Sequence, residues 1–573
     1  MRNVMKLQPP WWVSGQRPDI TGVNMEIIVK FNGDIYSIAQ RTGAQVELLK
    51  QDYAILDIPR ENIEMLYEYA GIEDIELPKR LFLGTTYNLT SSCIRTVQDS
   101  YRLSGSGVVV AVIDSGIDYS HPDFRNDDGT TRILFLWDQT IPGNPPEGFA
   151  EGTEYTQSEI NNALQEPDPF LIVPSRDFIG HGTAVAGIAA GNGGASSGEN
   201  TGAAPRASII AVKVGRGEDS FALSTDLMRA VKYVIDKSRE LAMPAAINLS
   251  FGMNDGSHKG NSLFEEYLTD MADEWKISIV VPTGNEGSAG HHHSGRLSTN
   301  NTIETEFFTA AGLDRFYLSL WKNFADSFAV ELIFPDGYSS GVINIESQVK
   351  TVRNDNAILT VIYGQPGRYS IDQEIFFDIR SINDTIKPGL WRLRIIPSVI
   401  VDGNYDIWLP TLEEVGTQTY FTDPSIYNTM TIPSTANKVI RVSGYNDRLG
   451  SIAGFSGTGR SDEPLFMPDV AAPAVNIISA RSGGGYDSFT GTSFAAPFVT
   501  GSAALMMQWG IVEGNAPFMY GERIRAFLRL GANRTQGLSY PNPTFGYGRL
   551  CLANSLEYMR RYKWGGDRLW RII

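Results

Sequence analysis

Three polar residues set far apart in the chain, Asp114, His181 and Ser493, have the side-chain types that nucleophilic chemistry on an acyl carbonyl requires. Ser493 lies in Gly491-Thr492-Ser493-Phe494-Ala495-Ala496-Pro497, where a glycine-bearing turn runs into the small-residue stretch SFAAPFVTGSAALMMQ, a pattern that predicts a helix. A hydroxyl at a helix start is held near backbone N–H groups and the positive end of the helix dipole, which stabilise the charge that develops on an attacked carbonyl. The same segment also reads as an ordinary N-cap, so Ser493 alone establishes no chemistry. Asp114 ends the apolar run Val108-Val109-Val110-Ala111-Val112-Ile113, which predicts a strand buried on both faces. An acid there sits at the carboxyl edge, where open parallel sheets place their sites, although an isolated one is otherwise a turn former or cap. His181 stands in Asp177-Phe178-Ile179-Gly180-His181-Gly182-Thr183-Ala184-Val185-Ala186-Gly187, a loop opening a helix of small residues.

In the order Asp114, His181, Ser493, these segments resemble those of the subtilases, the subtilisin-like serine proteases. The resemblance extends to Ser250-Phe251-Gly252 after the strand-like AAINL, to Gly284-Asn285-Glu286-Gly287 after ISIVVPT, and to Phe455-Ser456-Gly457 and Pro468-Asp469-Val470-Ala471-Ala472-Pro473. It implies a serine endopeptidase in which His181 takes the Ser493 proton and returns it to the leaving amine, while Asp114 orients the imidazole and stabilises the imidazolium. Asn285 would supply an oxyanion N–H beside the backbone N–H of Ser493. Ser250, Phe251 and Gly252 on one side, and Gly215 and Gly217 on the other, would be rails that hold an extended peptide as an added strand. Gly215 and Gly217 also read as a plain turn. Gly252 and Thr283 would line the first specificity pocket, with Gly284 beside them.

Two departures from the family pattern bear on metal binding and catalysis. Ala184 stands where many subtilases carry a second histidine, without consequence for the chemistry. In the loop Gly191–Thr201 and at Asp123, many secreted members hold calcium; here no cofactor is required, and a structural calcium ion stays an open alternative. No Cys/His spacing suits zinc, and His291-His292-His293 reads as three solvated loop residues rather than a metal tract.

Composition limits the remaining functions. The chain has 573 residues, enough for two or three domains, and its net charge of −17 argues against nucleic acid and anionic membranes as partners. Two cysteines do not make a disulfide framework, so a reducing compartment is allowed. No uninterrupted apolar run reaches membrane-span length, and MRNVMKLQPPWWVSGQRPDITG lacks the apolar core of a signal peptide. A cytoplasmic or spore-associated protein without conventional secretion is the expectation.

The elements that must position the site fall into three parts. Residues 1–93 read as strand, helix, strands, helix, strand, a split βαβ module similar to subtilase propeptides, which assist folding and then inhibit. Residues 94–291 and 431–573 alternate strand and helix as a doubly wound parallel sheet, an α/β fold. Residues 292–430 hold β-rich runs between Gly, Pro, Asn and Asp turns, an inserted antiparallel sandwich. This architecture resembles the clostridial Csp germination proteases, whose insert is a jelly roll and whose active members process the precursor of a spore-cortex hydrolase. The implied partners are a protein substrate, such as a cortex-hydrolase zymogen, and the chain's own propeptide, cut in cis between Leu81 and Arg102 and retained as a bound inhibitor. A germinant-sensing pseudoprotease scaffold and a general degradative protease are the alternatives; the presence of all three triad residues and of Asn285 favours an enzyme.

Overall fold

The computed structural model describes residues 24–78, 80–82, 91–215, 221–299, 301–344, 348–368, 370–461, 463 and 467–569, with backbone alone for 80–82 and 563–569. Two compact units result. One comprises Met1–Lys79, Met253–Leu263 and Ser288–Ile432; the other comprises Arg80–Gly252, Phe264–Gly287 and Pro433–Ile573.

The second unit is built on a sheet of the order Ser451–Ile452, Ile440–Asn446, Ile277–Pro282, Ala245–Leu249, Val109–Asp114, Ser208–Lys213, Ile133–Asp138, Thr153–Thr156, with Val470–Pro473 also pairing on Ile440–Asn446. The strands from Ile440–Asn446 through Ile133–Asp138 run parallel. Val109–Asp114 is buried at every residue because both its faces are covered, which is why it reads as an unbroken apolar run. After Ser208–Lys213 the chain crosses to the other side of Val109–Asp114 to lay down Ala245–Leu249. Asp114 therefore ends the strand at which the winding reverses, the crevice where doubly wound sheets bind ligands.

Two helices complete the frame, His181–Ala190 and Thr492–Met507, each buried at every position. Their small residues permit a close approach: a Cβ on Gly501 would lie 2.4 Å from Ala203 Cβ and 2.7 Å from the Ala189 carbonyl oxygen. Thr492–Val512 is on average apolar enough, and long enough, to cross a membrane, although Thr500, Ser502 and Gln508 interrupt its apolar run, and 89% of its apolar window is buried inside the fold. It is a core helix.

Asp469, fully buried, ties the far side of this unit together. Its carboxylate accepts from Arg525 Nε at 2.9 Å, Arg529 Nε at 2.6 Å and the Arg441 backbone N–H at 2.8 Å. Burial pushes the Asp469 carboxyl up, and the guanidiniums of Arg525, Arg529 and Arg441 outweigh that and hold it below its ordinary value. Cys93 and Cys551, 458 residues apart, are joined in one disulfide that links the start of the helix Ile94–Tyr101 to the start of Leu552–Leu569. The spacing carried no hint of that pairing.

In the first unit, Asn24–Phe31, Gln45–Lys50, Tyr53–Pro59 and Ile72–Glu76 form an antiparallel sheet whose order is second, third, first, fourth. The helix Ile35–Thr42 starts where the Asp34 carboxylate accepts the Tyr36 and Ser37 N–H groups, and stops at Gly43, whose φ of +71° suits glycine. The second expected helix forms instead as the 3-10 helix Arg60–Glu68. The insert is an antiparallel sandwich with six strands in one sheet and four in the other, sharing one core that includes Phe307, Phe316, Leu320, Ile375 and Trp391. The β-rich runs of the insert become strands, among them Ile303–Thr309, Arg315–Asn323, Ala357–Tyr363 and Gly389–Val399, because alternate residues along them are apolar and face that core.

Asp469→Asn would leave buried guanidiniums without their counter-charge. The expected cost is about 3–5 kcal/mol of stability, read as a lower denaturant midpoint with an unchanged slope.

Candidate active site

His181 and Asp114 meet where a strand ends and a helix begins. Their side chains are fully buried, and His181 Nδ1 lies 2.7 Å from Asp114 Oδ1. A carboxylate on Nδ1 fixes the ring's orientation and leaves Nε2 as the nitrogen for proton transfer. The approach depends on Gly182: a Cβ there would be 2.1 Å from the Gly116 carbonyl oxygen and 2.9 Å from Asp114 Cβ. Phe494 packs its ring edgewise against the imidazole, with centroids 4.8 Å apart.

Ser493 is the second residue of Thr492–Met507 and is 4% exposed. Its carbonyl accepts from Ser250 Oγ at 3.3 Å; Ser250 Oγ accepts from Asn248 Nδ2 at 2.7 Å, and Asn248 Oδ1 accepts from Thr500 Oγ1 at 3.0 Å. This chain locks the helix start onto the end of Ala245–Leu249. Asn285 follows Ile277–Pro282, and its Oδ1 accepts from both the Thr492 N–H and the Thr492 hydroxyl, each at 3.1 Å. With Oδ1 so held, the amide N–H2 is the end that remains to donate to a ligand. Gly284 and Gly287 are knit to Gly457 and Phe455 by backbone bonds of 2.9 and 2.8 Å, which joins two of the motifs that lie apart in sequence. Thr283 is fully buried, with its N–H on the Val442 carbonyl, and Phe251 is buried at 2% exposure.

The edge that receives a neighbouring chain segment is Phe221–Leu223. Arg80–Phe82 pairs with it antiparallel, in the register Phe82 to Phe221, Leu81 to Ala222 and Arg80 to Leu223. Gly215 precedes that edge with φ +136°, and Gly217 lies outside the described residues, as do residues 83–90 within the expected cleavage interval. Sequence reasoning passed over Phe221–Leu223, since three residues before a helix carry no strand signal of their own. It also passed over Thr492 and over Asp177, four positions before His181.

Asp123 stands where the family resemblance implies a calcium ligand. Its Oδ1 accepts from the Ala195 N–H at 2.9 Å, and the Tyr486 hydroxyl lies 2.7 and 2.9 Å from its two oxygens. Burial, and with it the Asp123 carboxylate, raises the Tyr486 phenol above its ordinary value, so it stays protonated and donates. The Ala195 N–H and the Tyr486 hydroxyl, which has one proton to give, thus already bond the Asp123 carboxylate, and lone pairs remain beside them. Among the described residues no three His, Cys, Asp or Glu side chains gather as a metal site.

The reading of His291–His293 as solvated residues is corrected. His291 and His292 are 1% and 2% exposed. His292 bonds the Tyr427 carbonyl at 2.6 Å and Asp406 at 2.8 Å, and stacks on Trp408, whose other neighbour in the stack is His258, 4.1 Å between centroids. Burial pushes His258 down to about 4, so it is neutral at pH 7. These histidines hold the insert to the segment Met253–Leu263.

The chain is similar to known proteins over most of its length. The model described as "Subtilase family" matches residues 105–353 and 399–548, and the one described as "Csp protease B prodomain" matches residues 17–79. The solved CspB protease of Clostridium perfringens is 39% identical, with a TM-score of 0.76 over 82% of this chain and 96% of that one. The PIII-type proteinase of Lactococcus lactis subsp. cremoris is 25% identical over 532 residues, 81% of this chain but only 25% of its own length. The serine protease AprX of Bacillus subtilis is 29% identical over 262 residues, 43% of this chain and 51% of that protein.

Gly182→Ala would drive the helix start away from Asp114. Because a misplacement of about 1 Å costs on the order of 100-fold in rate, peptide hydrolysis by the folded variant is expected to fall at least that far, measured as kcat/KM.

Proposed function

The chain belongs to the subtilase family, and from that premise we propose that Asp114, His181 and Ser493 are its catalytic triad and Asn285 its oxyanion donor. The observation that carries the reading is the 2.7 Å bond between His181 Nδ1 and Asp114 Oδ1, both buried at the reversal point of the sheet. In the proposed cycle, Ser493 Oγ bonds to the scissile carbonyl carbon as His181 Nε2 takes its proton. The carbonyl oxygen becomes an oxyanion that accepts from Asn285 Nδ2 and the Ser493 N–H. His181 then protonates the leaving amine, and water, activated by the same imidazole, releases the acyl group.

The enzyme is a serine endopeptidase with a prodomain. We propose further that substrates add as a strand along Phe221–Leu223, the place Arg80–Phe82 occupies, with Ser250, Phe251 and Gly252 opposite and Thr283 and Gly284 at the first pocket. The prodomain tail then behaves as a product-like inhibitor after cleavage in cis. The cut falls between Phe82, on that edge, and Ser91, which is tied down by bonds to Asp447 and Tyr445. Similarity to a CspB protease supports a protein zymogen as substrate, such as a spore-cortex hydrolase precursor, and a cytoplasmic or spore-associated site of action. The insert is proposed to be a jelly roll of the Csp kind.

Three outcomes test these readings. Ser493→Ala should purify as one uncut chain near 63 kDa, while the parent yields two co-purifying fragments by intact mass, the larger beginning within residues 83–91. A variant cut at the same place in a host without other proteases would exclude processing through this triad. In Asn285→Ala, kcat should fall about 100-fold or more, the loss seen for such a donor in subtilisin, with KM little changed. Finally, a calcium chelator should leave activity and thermal midpoint as they are, the outcome expected of an enzyme that requires no cofactor.

A further inference from the structure

We propose that Asp177 is a positioning residue for catalysis, a second buried carboxylate that sets the imidazole of His181 against Asp114. This rests on the triad reading above. Asp177 is 2% exposed and touches no reacting atom. Its Oδ1 accepts from the Gly180 N–H at 2.8 Å and the Ser115 hydroxyl at 2.8 Å. Its Oδ2 accepts from the Thr183 N–H at 2.8 Å and the Thr183 hydroxyl at 2.7 Å. Four donors thus fill the roughly four lone-pair sites a carboxylate offers.

The donors come from both sides of the catalytic contact. Gly180 and Thr183 bracket His181 on its helix. Ser115 is the residue after Asp114, and its hydroxyl oxygen also receives the Gly182 N–H at 3.0 Å. The Thr183 hydroxyl oxygen receives the Asp118 N–H at 2.9 Å, so the turn after Asp114 is held at a second point. The Asp177 carbonyl, in turn, accepts from Ser482 Oγ at 2.7 Å, which pins the loop itself. One carboxylate therefore fixes the strand end and the helix start relative to each other, and the His181–Asp114 distance follows from that.

The role differs from helix capping alone. A cap needs only the Gly180 and Thr183 bonds, whereas the Ser115 bond acts on the acid's side of the pair. Substituting asparagine preserves shape but replaces one acceptor oxygen with a donor, so two of the four donors face an N–H2 whichever way the amide turns.

The test is steady-state peptide hydrolysis by Asp177→Asn after complete maturation, checked by intact mass, beside Ser493→Ala as control. The expected result is a fall in kcat of at least about tenfold with KM within twofold, and a shift or loss of the low-field proton resonance of the His181–Asp114 hydrogen bond. A folded variant with parental kcat and resonance overturns the proposal, even if its thermal midpoint drops, for Asp177 would then be a cap only. If Asp177→Asn does not fold, Ser115→Ala decides: it cuts the link to Asp114 and keeps the cap, so a severalfold lower kcat supports the proposal and an unchanged kcat overturns it. Activity surviving in Ser493→Ala would instead remove the triad reading itself.

Discussion

The catalytic unit depends on how closely backbone can approach backbone around the helix His181–Ala190. Gly182 lets that helix touch the turn after Asp114, and Gly501 lets Thr492–Met507 reach the segment Ala203–Ala204 and the end of the same helix. Close-packed interiors transmit such contacts rigidly, so a Cβ at either place is relieved only by moving a whole element. The result is that three residues 67 and 312 positions apart in sequence acquire fixed places without long side chains reaching across gaps. The full burial of both helices accords with their composition: small and apolar residues lie on every side, and neither has a charged face to turn outward.

Much of this was legible in the sequence, for identifiable reasons. A strand buried on both faces leaves an unbroken apolar run, so Val109–Asp114 and the acid at its end could be placed. Helices that pack at glycine distance leave small-residue runs, so His181 and Ser493 could be placed at their starts. The sandwich strands could be read from alternation and from their turn residues. What stayed hidden depends on partners far away in sequence. Asp177 looks like any loop acid until Ser115 and Thr183 are folded against it. Phe221–Leu223 becomes an edge strand only because Arg80–Phe82 lies beside it. His291–His293 looks solvent-loving because histidine is polar, yet the carbonyls of Thr419, Tyr427 and Asp423 are there to receive the ring nitrogens, which makes burial tolerable.

The buried charge of the unit is arranged by one economy of form. Asp469 bonds two guanidiniums and the Arg441 backbone N–H, whereas Asp177 bonds neutral donors, two backbone N–H groups and two hydroxyls. Beside an imidazole proposed to gain and lose a proton, a nearby cation would oppose imidazolium formation, and neutral donors avoid that penalty while still satisfying the carboxylate. Away from the site no such restriction applies, and the Arg441–Asp469–Arg525 cluster uses full charges to fix strands and helix together.

The disulfide extends the same logic to processing. A cut between Phe82 and Ser91 would create a new chain end within about ten residues of Cys93, and a new end frays unless it is tied. The ties in place are the Ser91 bonds to Asp447 and Tyr445, the Leu552 N–H on the Ser92 carbonyl, and the covalent bond from Cys93 to Cys551. A cross-link closing so long a loop removes on the order of 5 kcal/mol from the unfolded ensemble in the chain-entropy model, far more than the hydrogen bonds beside it contribute at about 1 kcal/mol each. In an oxidising compartment the processed end is therefore held by the staple. In a reducing one, the end rests on the Ser91 and Ser92 bonds and on the packing of Ile94–Tyr101 against Leu552–Leu569, so the compartment sets how firmly the first helix of the mature unit is held.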